Sequence, residues 1–370
     1  MSKIRIAVVV GTRPEIIKMQ PIIKKIIEYR NDLELIFIHT GQHYDENMSD
    51  IFIKELKLPQ PDFFLNVKSG SHGAQTARII ARSEIVLKKE MPNLVLVEGD
   101  TNSALGAALA ASKLKIPIGH VEAGCRSFDK KMPEEINRIL ITDLTSLHFA
   151  PTETCVRNLI KEGISKEQIY LTGHPIVDLL HLVQNKINKK VLAKFGLKPK
   201  QYYLATLHRE ENVENKSVLK EILNTFSILA QYRPVIFPIH PRTYKSIRRF
   251  ALANHLKNLI ITEPVSYFDS LSLIKYARIV LTDSGGIQQE AALLETPCIT
   301  LRDKTEWVET VNYNVNFLAR SKDKIIKTVN EIEEGLEHIK DRFKLLRNIF
   351  GEYPVSDKII NIILKKFYSK

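Results

Sequence analysis

The stretch Leu94-Val-Leu-Val-Glu-Gly-Asp100 is an apolar run without polar alternation, closed by a glycine between two carboxylates. A strand that is apolar on both faces belongs in a parallel sheet covered by helices on both sides. Ile116-Pro-Ile-Gly-His-Val-Glu122 likewise places a carboxylate just past an apolar strand, and Met132-Pro-Glu-Glu135 adds two more acids at a helix start. In open α/β sheets ligands bind outside the carboxyl ends of the strands. The acids therefore stand where a substrate is expected.

Outward from this stretch, short β-rich runs alternate with longer helical patterns, as in α/β folds. Strands are expected at Ile4–Val10, Leu33–His39, Leu94–Val97, Ile116–Val121 and Leu147–Ala150. A second set is expected at Tyr202–Thr206, Val235–Pro238, Leu259–Ile261, Ile279–Thr282 and Cys298–Leu301. The Lys- and Asn-rich stretch Leu179–Lys200 separates the sets, with a boundary expected near Pro175–Asp178. The amphipathic stretch Ser356–Tyr368 is expected to pack back as a final helix. The reading is thus two Rossmann-like α/β domains, 1–177 completed by 356–370 and 178–355, with their parallel sheets facing a cleft.

A chain of 370 residues is long for one core. Its 44% hydrophobic and 26% charged content is that of a globular protein. Met1-Ser-Lys-Ile-Arg-Ile enters a strand directly, and no apolar run approaches the roughly 18 residues of a membrane span. A cytoplasmic location without membrane attachment is expected. The net charge of +12 comes from scattered lysines, with no basic stripe interleaved with aromatics, so nucleic acid is not an expected partner. Cys125, Cys155 and Cys298 are far apart in sequence and form no CxxC pair, which argues for three reduced, buried thiols.

Gly11-Thr-Arg-Pro-Glu15 follows the first strand and brings Arg13 to a helix N-terminus, an anion site or simply a capped turn. Asp283-Ser-Gly-Gly-Ile-Gln-Gln-Glu290 leads a strand through a small turn into a helix. There the amides of Ser284, Gly285 and Gly286 can approach a pyrophosphate, and Glu290 a ribose. A glycine turn with a dipole-matched acid is the plainer alternative. Thr206-Leu-His-Arg-Glu210 and Pro238-Ile-His-Pro-Arg-Thr243 place His208, Arg209 and His240 at strand ends, where they can neutralise phosphate oxygens. Asp100 could be an N-cap, and Glu134 with Glu135 could answer a helix dipole. Glu122, between Val121 and Ala123-Gly124, is expected to have a raised pKa suited to proton transfer. Three acids set against a cationic leaving-group site fit elimination and re-addition of a proton. His39, His43, Asp45 and His120 match no zinc spacing, so no metal is expected, and no GxSxG elbow marks a nucleophilic serine.

Taken together, Gly11-Thr-Arg-Pro-Glu15, Gly41-Gln-His43, Glu98-Gly-Asp-Thr101, His120-Val-Glu-Ala-Gly124, Pro133-Glu-Glu-Ile-Asn-Arg138, Leu207-His-Arg209 and Asp283-Ser-Gly-Gly286 resemble the non-hydrolysing UDP-N-acetylglucosamine 2-epimerases. The resemblance spans essentially the whole chain. It implies a GT-B-like fold, a homodimer, a UDP-sugar substrate and no cofactor. It also implies elimination of UDP to a 2-acetamidoglucal followed by re-addition. On matching positions, Asp100, Glu122 and Glu134 are the implied acid/base residues, and His208 the group assisting the pyrophosphate. Arg13, Lys18, Arg209, His240, Ser284, Gly285, Gly286 and Glu290 fall on implied substrate-binding positions.

The chain also departs from the family pattern. Trp307 replaces an arginine within Thr305-Glu-Trp-Val-Glu309, and is expected to supply stacking on the nucleotide. Ser270 stands where an aromatic residue often lies near the uracil. Asp45 occupies a position that is glutamine in allosterically regulated relatives, so that regulation is not expected. The short Cys125–Met132 loop resembles relatives acting on UDP-2,3-diacetamido-glucuronate. A 2-epimerase of such a modified sugar is therefore one alternative, and a GT-B glycosyltransferase another.

Overall fold

The computed structural model describes residues 3–42, 53–346 and 348–368, so His43 and Asp45 lie outside the described residues. The chain divides into two compact units, Met1–Leu182 with Ile349–Lys370, and Val183–Asn348. The first holds a parallel sheet of β1 (Ile4–Val10), β2 (Leu33–His39), β3 (Phe63–Phe64), β4 (Leu94–Glu98), β5 (Ile118–Val121), β6 (Leu147–Ala150) and β7 (Ile169–Leu171). Its order is β3-β2-β1-β4-β5-β6-β7. The second holds β8 (Tyr203–Thr206), β9 (Val235–Pro238), β10 (Ile260–Thr262), β11 (Ile279–Thr282), β12 (Cys298–Thr300) and β13 (Asn316–Leu318), in the order β10-β9-β8-β11-β12-β13.

Both orders contain the 3-2-1-4-5-6 sequence of a doubly wound, Rossmann-like sheet. The winding reverses between β1 and β4 in one unit and between β8 and β11 in the other. Connections diverge there and leave a crevice at the carboxyl ends of those strands. Every expected strand is present to within two residues at its ends. The three unexpected ones, β3, β7 and β13, are edge strands of two or three residues. They are too short to carry a periodic signal.

In the first unit the helices His72–Glu90, Asn102–Lys113 and Pro133–Leu144 pack side by side. Ala104, Ala107, Ala108 and Ala111 are fully buried and let these backbones approach closely. The helix Val355–Tyr368 returns to pack on the helix Arg13–Glu28, burying Ile359, Ile360 and Ile363. Each such isoleucine contributes about 1.5–3 kcal/mol. Asp178 fixes that return by accepting the N–H groups of Val355 at 2.8 Å and Ser356 at 2.7 Å, orphan donors of the helix start.

The turn after β1 is tied to the turn after β4. Glu15 accepts the N–H groups of Gly11 (2.9 Å) and Thr12 (2.7 Å), and the Thr101 hydroxyl at 2.7 Å. Its burial raises the carboxyl to about 7. Above it Thr40 Oγ1 and Ser103 Oγ are hydrogen-bonded at 2.7 Å. A Cβ on Gly11 would lie 1.9 Å from Ser103 Oγ and 2.2 Å from Thr40 Oγ1, so only glycine fits. Gly11→Ala should therefore lower stability by about 1–3 kcal/mol in urea unfolding. A midpoint unchanged from wild type would contradict this packing.

Candidate active site

Glu98 ends β4, Glu122 follows β5, and Lys18 reaches between them from the helix Arg13–Glu28. Lys18 Nζ lies 2.9 Å from Glu98 Oε1 and 2.5 Å from Glu122 Oε2. His174 Nε2 lies 2.7 Å from that same Glu122 oxygen. On the other side of the ring, Nδ1 accepts the Ile176 N–H at 3.1 Å. A ring nitrogen that accepts carries no proton, so Nε2 carries it and donates to Glu122. Burial keeps His174 below its ordinary value and hence neutral.

The two carboxyls are driven in opposite directions. Burial raises Glu98 well above the carboxylate range, and Lys18 does not offset it with the Glu122 charge alongside. For Glu122 the burial penalty is outweighed by the Lys18 charge and the His174 hydrogen bond, which hold it well below that range. Burial would lower Lys18, but the two acids keep its ammonium charged. The cluster thus consists of one ammonium, one carboxylate, one carboxylic acid and a neutral imidazole. The sequence reading had Glu122 raised by apolar neighbours. The structure corrects it, because two donors remote in sequence converge on one oxygen.

Glu122 also has a backbone φ of +70°, in the left-handed region that non-glycine residues rarely occupy. Such conformations cost of order 1 kcal/mol and collect at functional sites. Glu98, Glu122 and His174 offer donor atoms within 4.8 Å of one another, the arrangement of a cation site. Lys18 is the cation that fills it.

Asp100 is partly exposed and pairs with Arg138, whose other arm donates to Glu135 at 2.7 Å. Asp100 is not the N-cap, since Thr101 takes the Ala104 N–H instead. Glu135 also accepts the N–H groups of Ser127 (2.9 Å) and Phe128 (3.0 Å), so it holds the short loop before the helix Pro133–Leu144. Its burial penalty is outweighed by these donors and Arg138, and the carboxyl stays below its ordinary value. Glu134 lies partly buried in the first turn of that helix, and Arg13 partly buried at the start of the helix after β1.

In the second unit Asp283 organises the corresponding edge. Fully buried after β11, it accepts the main-chain N–H groups of His208 (3.1 Å) and Arg209 (2.9 Å) and the Asn212 amide at 3.1 Å. His208 Nδ1 sits 3.0 Å from Asp283 Oδ1, which sets Nε2 on the far edge of the ring. Burial alone would raise Asp283, but His208 and the other donors pull it down to about 2. The His208 and His240 rings lie 5.4 Å apart, centroid to centroid. His240 is exposed and caps the helix Pro241–Arg249 through Nδ1. Ser284 caps the helix Gly285–Leu293, so its first amides and the two glycines stand at the sheet edge, while Glu290 is buried within that helix.

A sequence model for a family described as UDP-N-acetylglucosamine 2-epimerase matches residues 25–364. The chain belongs to that family. It is 46% identical over 369 residues to the UDP-N-acetylglucosamine 2-epimerase of Methanocaldococcus jannaschii, covering 97% of this chain and 98% of that protein. To the UDP-2,3-diacetamido-2,3-dideoxy-D-glucuronate 2-epimerase of Pseudomonas aeruginosa it is 40% identical over 327 residues, covering 88% and 91%. The crystal structure of the M. jannaschii UDP-GlcNAc 2-epimerase in complex with UDP-GlcNAc and UDP aligns with a TM-score of 0.86 at 43% identity, covering 97% and 99%.

Within this family member, the structure joins Lys18 to Glu122 and adds Glu98, His174 and Asp283, which the sequence reading did not select. Glu98 ends β4 within the opening stretch, and its place directly after the apolar run Leu94–Val97 was the available signal. His174 follows the unexpected β7, so no strand end pointed to it. Trp307 is fully buried behind the glycine turn and has no open face for stacking. Cys125 and Cys155 are buried thiols as expected, but their sulfurs meet at 3.3 Å despite their separation in sequence.

Glu98→Gln tests the proton on Glu98. A carboxyl raised on folding stabilises the fold below its unfolded value and loses that contribution as pH climbs through the raised value. The amide cannot ionise, so the melting temperature of the variant relative to wild type should rise from about pH 5 to about pH 9. A constant difference across that range would mean that Glu98 is ionised throughout.

Proposed function

We propose that this chain interconverts UDP-GlcNAc and UDP-ManNAc without a cofactor, by eliminating UDP and adding it back. One carboxylate removes the C2 proton while the C1–O bond breaks, and UDP leaves with the bonding pair. The resulting 2-acetamidoglucal then receives a proton at C2 on the opposite face as the diphosphate oxygen re-forms its bond to C1. Atoms balance over the cycle, and no redox partner is needed. Glu122, Asp100 and Glu134 serve as the acid and base groups. His208, Arg209, Arg13 and His240 answer the charge of the departing diphosphate, and Lys18 keeps Glu122 ionised. The Ser284, Gly285 and Gly286 amides hold the pyrophosphate, and Glu290 the ribose.

The observation that carries this reading is the carboxyl array at the winding reversal of the first sheet. There Lys18 lies between Glu98 and Glu122, with Asp100 two residues beyond Glu98, and the surroundings hold Glu122 well below and Glu98 well above the carboxylate range. UDP-GlcNAc is preferred over a diacetamido-glucuronate sugar because the relative acting on the former is the more similar, 46% against 40% identical. A cytoplasmic location and a homodimer belong to the same reading. Ile136 and Leu140, one turn apart on the helix Pro133–Leu144, leave an exposed apolar strip suited to a second copy. Sedimentation should give a dimer, and a monomer at assay concentrations would remove that part.

Incubating the protein with UDP-GlcNAc in D2O and following the sugar by NMR tests the chemistry. Deuterium at C2 with a UDP-ManNAc signal is expected. Free ManNAc with UDP would indicate hydrolysis, and no exchange without an acceptor would favour a transferase. Glu122→Gln and Glu134→Gln should each slow exchange by about 10²–10⁴-fold while UDP still binds. Exchange at the wild-type rate would take that residue out of the mechanism.

A further inference from the structure

We propose that His174 is a positioning residue for Glu122: its Nε2–H grips the carboxylate oxygen that also meets Lys18, fixing both the direction and the ionised state of the group that handles the C2 proton. The proposal rests on the reading of Glu122 given above.

The His174 ring is built in from every side. Its main-chain N–H donates to Phe350 O at 2.7 Å, and Nδ1 is occupied by the Ile176 N–H. The turn is pinned as well, since a Cβ on the preceding Gly173 would lie 2.7 Å from Phe350 O. A neutral imidazole fixed in this way has one proton to offer, and it points at Glu122 Oε2, 2.7 Å away. Hydrogen bonding to the charged form of an acid favours that form.

The groups facing Glu122 divide this work between charge and direction. Lys18 comes from the helix Arg13–Glu28, Glu98 from the end of β4, His120 from β5 and the Cys125 thiol from the loop beyond. Burial holds His120 at about 3, so it is neutral, and its Nε2 meets Gly99 O at 2.8 Å. Lys18 therefore brings the positive charge, but from a flexible stem shared with Glu98. His174 brings no charge and a rigid direction. With Glu122 strained at φ +70°, a second fixed donor is what holds its carboxylate in one place.

The test compares His174→Leu, His174→Gln and Glu122→Gln with wild type, measuring kcat, KM and C2 deuterium exchange with UDP-GlcNAc from about pH 3 to pH 9, a range that reaches the low limb expected of Glu122. His174→Leu should lower kcat about 10- to 100-fold and leave KM within about threefold. A carboxylate that loses a donor binds its proton more tightly. The acid limb of kcat/KM should therefore move up by about one pH unit. His174→Gln sets an amide close to the position of Nε2 and should restore most of kcat and return the limb.

A folded His174→Leu with wild-type kcat and an unmoved limb overturns the proposal, as does His174→Gln behaving like His174→Leu. If circular dichroism shows that the leucine variant does not fold, His174→Phe, a planar ring without the donor, takes its place with the same expected and overturning results. Full exchange in Glu122→Gln removes the underlying reading as well. An inactive Glu122→Gln beside an unaffected His174→Leu removes the positioning role alone.

Discussion

Lys18, set between the Glu98 and Glu122 carboxyls, is the contact on which the first unit's chemistry depends. A buried ion left without its partner is strongly unfavourable, commonly by about 3–5 kcal/mol. Lys18, Glu98 and Glu122 avoid that cost by holding one positive charge, one negative charge and one proton. The proton belongs on Glu98 because His174 and Lys18 both favour charge on Glu122. Two chemically identical acids thereby acquire different states, as their different surroundings require.

The same backbone plan serves both units with opposite chemistry. Where the winding reverses in the first unit, Glu15 ties the β1 turn to the β4 turn and acids line the edge. Where it reverses in the second, Asp283 ties the β8 turn to the β11 turn, and histidine, arginine and bare amides line the edge. In each case one buried carboxyl satisfies main-chain N–H groups that would otherwise be orphaned. Its own function is to hold the turns, so that neighbouring side chains meet a substrate in fixed directions.

Much of this was legible in the sequence. Apolar runs of four to seven residues announced the main strands, because a strand buried on both faces has little room for polar residues. The acids, His208 and the glycine turn were legible because they follow those runs directly. What escaped notice depends on folding together of distant segments. The direction of the Glu122 shift requires Lys18 and His174, the first on a helix face and the second after a three-residue edge strand. Asp283 looked like part of a nucleotide turn, and only its hydrogen bonds show it as the organiser of that turn. Trp307 looked like a stacking residue, but its ring is buried behind Gly285. Local patterns reveal where the strand ends are, not what converges on them.

The protonation states of the two acids can be observed directly. Carbon-13 NMR of protein labelled at the glutamate carboxyl carbon, with Glu98→Gln and Glu122→Gln used to identify the two resonances, reads each group near neutral pH. Glu98 should appear at the shift of a carboxylic acid and Glu122 at that of a carboxylate. Two carboxylate signals, or the proton found on Glu122, would contradict the central role given to Lys18 and His174.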